Sequence, residues 1–115
     1  GNEKCPDLPQ KIADLLDAFA TLYQSRFVVF GGSGGGFATI SILKYLRTRS
    51  AAVVWNPQTS IARYHAGAVK NYLDLAFPAL REQKMLSIPD RLKFRGVVDD
   101  LVDVCSIQDH SLLYL

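Results

Sequence analysis

The chain has 115 residues, of which 49% are hydrophobic and 21% are charged, and its formal net charge is +2. This composition is typical of a soluble globular domain and excludes a disordered or collagen-like chain. The small cationic excess does not favour nucleic acid or an anionic membrane surface, and we expect neither as a partner. No apolar run approaches the roughly 18 to 20 residues that span a bilayer, and the N-terminus does not resemble a signal peptide.

Cysteine usage and length set the remaining broad expectations. Cys5 and Cys105 are far apart in the sequence and lack the spacing of metal ligands. We therefore expect ordinary thiols, with no disulfide, no metal site and no cofactor, and a cytoplasmic setting as the default. The length suits one domain over residues 1–115.

The first predicted element is an amphipathic helix. It is expected to begin near Asp7, where an acceptor side chain precedes Pro9 and Gln10 stands three residues later, a pattern that resembles a capping box. Apolar side chains then recur at helical spacing and form one stripe that would cover a core. These residues are Ile12, Leu15, Leu16, Phe19, Leu22 and Tyr23.

A strand, a glycine-rich turn and a helix are predicted next. The run 27–30 is β-branched and aromatic without interruption, as in a strand buried on both faces of a parallel sheet. Five glycines and one serine fill 31–36, and residues 37–47 have helical periodicity with a basic end. A second buried run at 51–55 completes a βαβ unit, whose two strands must be parallel.

The second half of the chain predicts shorter elements. After the loop at 56–60, apolar residues along 62–77 indicate a helix that is capped by Thr59 or Ser60 and is ended or kinked by Pro78. The further predictions are a short helix at 79–85, a turn at 87–90 and a third strand at 102–107, which ends at 108–110.

Several interpretations compete for the glycine cluster at 31–36. A dinucleotide fingerprint needs glycines at its first, third and sixth places, but counting from Gly32 the sixth place is Phe37. A phosphate-binding P-loop ends in a lysine, and the next lysine is Lys44. A flexible Gly/Ser linker has no purpose between a buried strand and the helix that packs on it. A glycine turn with a purely structural role stays open.

The remaining interpretation is a nucleophile elbow, Gly-x-Ser-x-Gly, over residues 31–35. In this motif a serine occupies a strained backbone conformation at a sharp strand-to-helix turn. Small residues two positions to either side, here Gly31 and Gly35, let the strand and the helix approach. Ser33 would be the nucleophile at a helix N-terminus, where N–H groups stabilise an oxyanion, and Gly34 would supply the N–H that follows the nucleophile.

This region resembles the α/β-hydrolase superfamily. The resemblance extends over about residues 10–110 and depends on the residues of 27–38 and 51–57. It implies a serine nucleophile, an acid after a later strand and a histidine beyond it, in that order. The Asn-Pro-Gln-Thr loop at 56–59 is similar to one in some bacterial hydrolase-like proteins linked to surface polysaccharides and glycoproteins, so the implied substrate is a small-molecule or glycan ester or acyl compound.

The resemblance also assigns the partners of the serine. Asp109 follows the predicted third strand, which is the place of the triad acid. His110 follows the candidate acids and is the expected base, although it adjoins Asp109, and neighbouring side chains seldom orient one another. The alternatives are Asp99, Asp100 and Asp103 for the acid and His65 for the base.

The predicted fold is α/β, a three-layer hydrolase-like core around a parallel sheet, incomplete because three strands leave unpaired edges. We expect a second copy of the chain or the remainder of a larger one to cover those edges. The leading hypothesis for function is a serine esterase or acyltransferase, and the alternative is a non-catalytic α/β module for interaction or assembly. A third hypothesis is a small phosphate or nucleotide binder at the same helix N-terminus.

Overall fold

The structure, a computed structural model, describes residues 1–82, 85–97, 100–101 and 110–115. The protein is mixed α/β, as predicted, with several helices and a small parallel sheet of three strands. None of the helices within these residues is long and apolar enough to cross a bilayer. The elements are α1 (Leu8–Tyr23), β1 (Val28–Gly32), α2 (Gly34–Leu43), β2 (Ala51–Trp55), α3 (Ala66–Ala76), a 3-10 helix (Pro78–Glu82), α4 (Ile88–Phe94) and β3 (Ser111–Tyr114).

The sheet has the order β1-β2-β3, and both strand pairs are parallel. The parallel pairing of β1 with β2 confirms the predicted βαβ unit. The strand predicted at 102–107 lies outside the described residues, and the observed third strand begins at Ser111. Because all three strands run in one direction, their carboxyl ends, at Gly32, Trp55 and Tyr114, lie at one edge of the sheet.

Two helices begin at residues other than the predicted ones. Helix α2 begins at Gly34 and ends at Leu43, so the last three residues of the glycine cluster form its first turn instead of a loop. Helix α3 begins only at Ala66, and the residue before it, His65, has no side-chain hydrogen bond that caps the helix. The expectation that Thr59 or Ser60 caps this helix is therefore wrong, because the helix starts at Ala66, several residues after both of them.

The N-termini of α1 and α4 differ from those expected from the sequence. The Asp7 side chain does not cap α1, contrary to the capping-box prediction, because it forms an ion pair with Lys11 at 3.0 Å. The turn predicted at 87–90 is instead the start of α4. There the Ser87 hydroxyl accepts a hydrogen bond from the Asp90 backbone N–H, so a serine followed three residues later by an acid begins a helix.

The buried residues form three apolar clusters. Two of them join the sheet to the helices that cover one of its faces, where α2 packs on β1 and β2 and α1 packs on α2. The third lies among α3, the 3-10 helix and α4. The clusters are Ala13, Leu43, Leu46 and Ala52; Ile40, Val54 and Leu101; and Val69, Leu73, Phe77, Leu80 and Leu92.

The other face of the sheet is accessible to solvent. Phe30 is paired with Val53, and Val53 with Leu113, so the three side chains share one face. Phe30 is 70% exposed and Leu113 is 53% exposed. The second helical layer that the hydrolase-like prediction requires is therefore not seen over this face among the described residues.

A buried carboxylate joins α1 to the segment that follows α2. Asp17 is 5% exposed and accepts hydrogen bonds from the backbone N–H groups of Thr48, at 2.8 Å, and Arg47, at 3.0 Å. Burial alone would raise the pKa of Asp17, but these hydrogen bonds and the nearby Arg47 guanidinium outweigh it and hold the pKa below its ordinary value. Asp17 therefore stabilises the folded chain in its charged form.

We predict that Asp17→Asn lowers the free energy of unfolding by about 1 to 3 kcal/mol, because an amide offers one acceptor oxygen to two buried N–H groups. The stabilisation from Asp17 is complete above its unfolded pKa of about 3.9 and is lost as the pH falls through the lower folded pKa. Denaturant unfolding between neutral and acid pH measures both effects. Asp14→Asn is the control, since Asp14 is an exposed partner of Arg47 and is expected to contribute under about 1 kcal/mol. Equal losses for the two variants would contradict the prediction.

Candidate active site

Ser33 occupies the sharp turn between β1 and α2. Its backbone has φ 51° and ψ −121°, which a residue with a side chain rarely adopts and which costs about 1 to 3 kcal/mol. Hydrogen bonds hold this conformation from both sides: the Ser33 N–H donates to the Trp55 carbonyl at 3.2 Å, and the Ser33 carbonyl accepts from the N–H groups of Gln58, at 3.0 Å, and Phe37, at 3.3 Å. The turn therefore presents the serine side chain to solvent at the carboxyl edge of the sheet.

The close approach of β1 to α2 requires a glycine at position 31. A Cβ atom on Gly31 would lie 2.5 Å from the Gly35 carbonyl oxygen, closer than real Cβ contacts allow. A Cβ atom on Gly35 would have no heavy atom within 4 Å. The two outer glycines of the Gly-x-Ser-x-Gly pattern therefore differ: Gly31 is required by packing, whereas Gly35 contributes only its backbone to the contact.

The Ser33 hydroxyl has a side-chain partner that sequence reasoning missed. The Gln58 side-chain amide donates a hydrogen bond to the Ser33 Oγ at 3.3 Å. Gln58 follows β2 by three residues, so it reaches the same edge of the sheet as the serine. The only sequence signal for this contact was its place in the loop after a neighbouring parallel strand.

The backbone donors beside Ser33 belong to α2. The N–H groups of the first residues of a helix have no partner within the helix, and the helix dipole adds positive potential there. Gly34 and Gly35 are both exposed and begin α2 directly after the serine. Negative charge that develops near the Ser33 hydroxyl is therefore stabilised by this end of the helix.

A cavity of about 430 Å³ lies beside the serine, between the first half of α1, α2, α3 and the loop after β2. Gly34 and Gln58, the two neighbours of the Ser33 side chain, form part of its wall. None of the described side chains that line it carries a charge. The other lining residues are Gly1, Leu8, Pro9, Ile12, Phe37, Ala38, Ser41, Ile42, Ile61, Tyr64, Ala68, Val69 and Tyr72.

His110, the expected base, lies at the opposite edge of the sheet from Ser33. It directly precedes β3, and its Nδ1 accepts a hydrogen bond from the Ser50 N–H at 3.2 Å, just before β2 begins. Its Nε2 lies 3.1 Å from the Leu46 carbonyl oxygen, to which it donates in this arrangement. The five residues of β2 separate the amino ends of the strands, where His110 lies, from the carboxyl ends, where Ser33 lies, by roughly 15 Å. The structure therefore does not bring His110 to Ser33, because the histidine stands before a strand and not after one.

Of the other candidate partners, Asp100 and His65 lie within the described residues. Asp109, the expected acid, and the alternatives Asp99 and Asp103 lie outside the described residues. The Asp100 carboxylate forms an ion pair with Arg63 at 3.9 Å, and the Asp100 backbone pairs with that of Ser60 in an isolated antiparallel β-bridge. His65 is exposed at the start of α3 and does not line the cavity.

Comparisons with known proteins leave the resemblance to hydrolases dependent on the local motif. No protein-family model, curated protein or solved structure matches the chain. Among the described residues, no group of three His, Cys, Asp or Glu side chains could hold a metal ion. The case for chemistry at this site therefore depends on the geometry around Ser33 itself.

We predict opposite effects of alanine at the two outer glycines. Gly31→Ala would force β1 and α2 apart and is expected to destabilise the protein by about 1 to 3 kcal/mol. Gly35→Ala is expected to be neutral or to stabilise by up to about 1 kcal/mol, because alanine favours a helix and has free space there. Thermal and denaturant unfolding of both variants is the test. A destabilisation by Gly35→Ala as large as that by Gly31→Ala would refute this account of the turn.

Proposed function

We propose that this chain carries the nucleophile of a serine hydrolase or acyltransferase, with Ser33 attacking the carbonyl carbon of an ester or other acyl compound. The observation that carries the proposal is the backbone conformation of Ser33, φ 51° and ψ −121°, at a strand-to-helix turn with a required glycine at position 31. Strain in a residue with a side chain is costly and is concentrated at functional sites. This strain, in this position, is the feature that defines a nucleophile elbow.

The proposed reaction has two steps. In the first, the Ser33 Oγ forms a bond to the carbonyl carbon, the bond from that carbon to the alcohol oxygen breaks, and the proton of the serine hydroxyl passes to the departing alcohol oxygen. In the second, water or an acceptor hydroxyl attacks the acyl-serine and restores the Ser33 hydroxyl. Water gives hydrolysis and a hydroxyl gives acyl transfer, so one site supports both outcomes.

Two donors are available for the oxyanion of the intermediate. One is the Gly34 backbone N–H, which follows the nucleophile and begins α2. The other is the Gln58 side-chain amide, which donates to the Ser33 Oγ at 3.3 Å and lies next to Gly34. We therefore assign to Gln58 the second donor, for which the sequence offered no candidate.

We assign His110 no part in the proton transfer, since its two ring nitrogens are bonded to backbone at the other edge of the sheet. The resemblance expects the acid and the histidine after later strands. The carboxyl end of β3 lies at the Ser33 edge, where the Leu115 carbonyl accepts a hydrogen bond from the Asn56 N–H. Groups that follow a strand at this edge are the ones that could reach the hydroxyl.

We predict that a fluorophosphonate probe labels the folded chain at Ser33 and that Ser33→Ala abolishes the labelling, because the exposed hydroxyl lies beside oxyanion donors. Intact mass spectrometry and peptide mapping identify the adduct. Ser41→Ala is the matched control, since Ser41 lines the same cavity but its hydroxyl already donates to the Phe37 carbonyl at 2.8 Å.

A further variant, His110→Ala, tests whether His110 takes part in the reaction at Ser33. His110→Ala is expected to lower stability by about 1 to 3 kcal/mol, because it leaves the Ser50 N–H and the Leu46 carbonyl unpaired. It is expected to label at the wild-type rate under conditions where it is folded. A folded wild-type chain that gives no adduct, or an adduct that persists in Ser33→Ala, would overturn the proposed function.

We predict that Gln58→Ala slows labelling by about 10-fold to 1000-fold, the range for loss of one oxyanion donor, with the fold retained. Gln58→Glu is expected to be slow as well, because a carboxylate cannot donate and repels an oxyanion. Single-turnover labelling rates and circular dichroism measure the two quantities. A labelling rate unchanged in Gln58→Ala would remove Gln58 from the mechanism and would leave the role of Ser33 intact.

A second candidate function is a non-catalytic α/β module for interaction or assembly. The observation that favours it is the exposed sheet face around Phe30 and Leu113, because parallel sheets are ordinarily covered on both faces and large exposed apolar surfaces mark interfaces. This module would use the glycine turn only for backbone geometry. The labelling experiment separates the two functions, since the module predicts no reaction at Ser33.

A further inference from the structure

The wall of the cavity beside Ser33 is mainly apolar. Ile12 from α1, Ile42 from α2 and Val69 from α3 face it from three helices. Its volume is about 430 Å³. A space of this size and lining suits a flexible aliphatic group of intermediate length.

The few polar side chains in the cavity wall are neutral, and two of them already form hydrogen bonds. The Ser41 hydroxyl donates to the Phe37 carbonyl, and the Tyr72 hydroxyl donates to the Gly1 carbonyl at 3.4 Å. Burial raises the pKa of Tyr72, so its hydroxyl stays protonated. A sugar ring in this space would lose hydration from several hydroxyls and find few partners, which is unfavourable. The wall therefore discriminates against a glycan and in favour of a hydrocarbon chain.

The cavity is continuous with the surroundings of the nucleophile. Gly34 and Gln58 both line it, and both adjoin the Ser33 side chain. We propose that this cavity is an acyl-chain site, which takes an unbranched alkyl chain of medium length while the carbonyl group of the same ligand lies at Ser33. The ester chemistry in this inference rests on the proposed function, but the binding of the chain does not.

The experiment measures binding without reaction. Sodium alkanoates from butanoate to tetradecanoate, each below its micelle concentration, are titrated into the wild-type chain and into Ser33→Ala by isothermal calorimetry. Each added methylene that enters the cavity is expected to lower Kd by about threefold to fourfold. The gain is expected to stop, or to reverse, once the cavity is full. Both proteins are expected to give the same profile.

A matched pair of variants locates the site. Ala68 and Ala66 are both exposed and lie on α3, but only Ala68 lines the cavity. Ala68→Trp is expected to raise the Kd for the best alkanoate by about tenfold or more, since the indole takes the space of several methylenes. Ala66→Trp, two positions away and so on another side of the helix, is expected to leave Kd unchanged.

The outcomes separate this inference from the proposed function. Suppose that alkanoate binding depends on chain length and is lost in Ala68→Trp, but the fluorophosphonate probe does not label Ser33. This result would support the acyl-chain site and overturn the proposed enzymatic function. Labelling of Ser33 with no alkanoate binding at any length would keep the nucleophile and overturn the acyl site. Equal Kd values across the chain-length series, or equal losses in Ala68→Trp and Ala66→Trp, would also overturn it.

Discussion

The contact between the backbones of β1 and α2 at Gly31 is the constraint on which the site depends. The strand and the helix approach so closely there that a single methyl group would meet the Gly35 carbonyl. Between them the chain has to reverse within one residue, and Ser33 adopts a positive φ to do so. The hydrogen bonds to Trp55 and Gln58 couple this strained turn to β2 and to the loop after it. The position of the hydroxyl thus follows from packing between elements as much as from the turn itself.

Secondary-structure elements with a clear pattern in their own sequence could be predicted, whereas the ends of elements that depend on tertiary contacts could not. Helix α1 has a regular apolar stripe, and the strands β1 and β2 contain apolar runs, so local patterns predict these elements. The expected burial of β1 on both faces is wrong, since Phe30 is 70% exposed. The first turn of α2 consists of three glycines, and glycine disfavours a helix in isolation, so the predicted start fell after it. The tertiary contact of α2 with β1 overrides that propensity. The start of α4 at Ser87 had a local signal, a serine three residues before Asp90, which the prediction of a turn overlooked.

In the candidate site, too, some residues could be predicted from a local motif, and others depend on contacts between distant parts of the chain. The position of Ser33 at a strand-to-helix turn could be predicted, because the elbow motif is contiguous and lies between a strand pattern and a helix pattern. Gln58 and the cavity could not, because they depend on which loop meets which helix. His110 depended on where the third strand lies: after a strand at 102–107 it would stand at the carboxyl edge, but it precedes the strand observed at Ser111–Tyr114. A shift of a few residues along the chain therefore moves the imidazole from the carboxyl ends of the strands to their amino ends.

The uncovered face of the sheet has a consequence for how the chain behaves in solution. Phe30, Trp55 and Leu113 together offer water a hydrocarbon surface, while a net charge of +2 provides little repulsion between molecules. Within the part of the chain that the structure describes, β1 and β3 are the outer strands of the sheet, and outer strands offer backbone groups with which neighbouring chains can pair. Colloidal solubility, rather than the free energy of folding, then limits the concentration at which this polypeptide stays monodisperse, and salt that screens its few charges lowers that limit further.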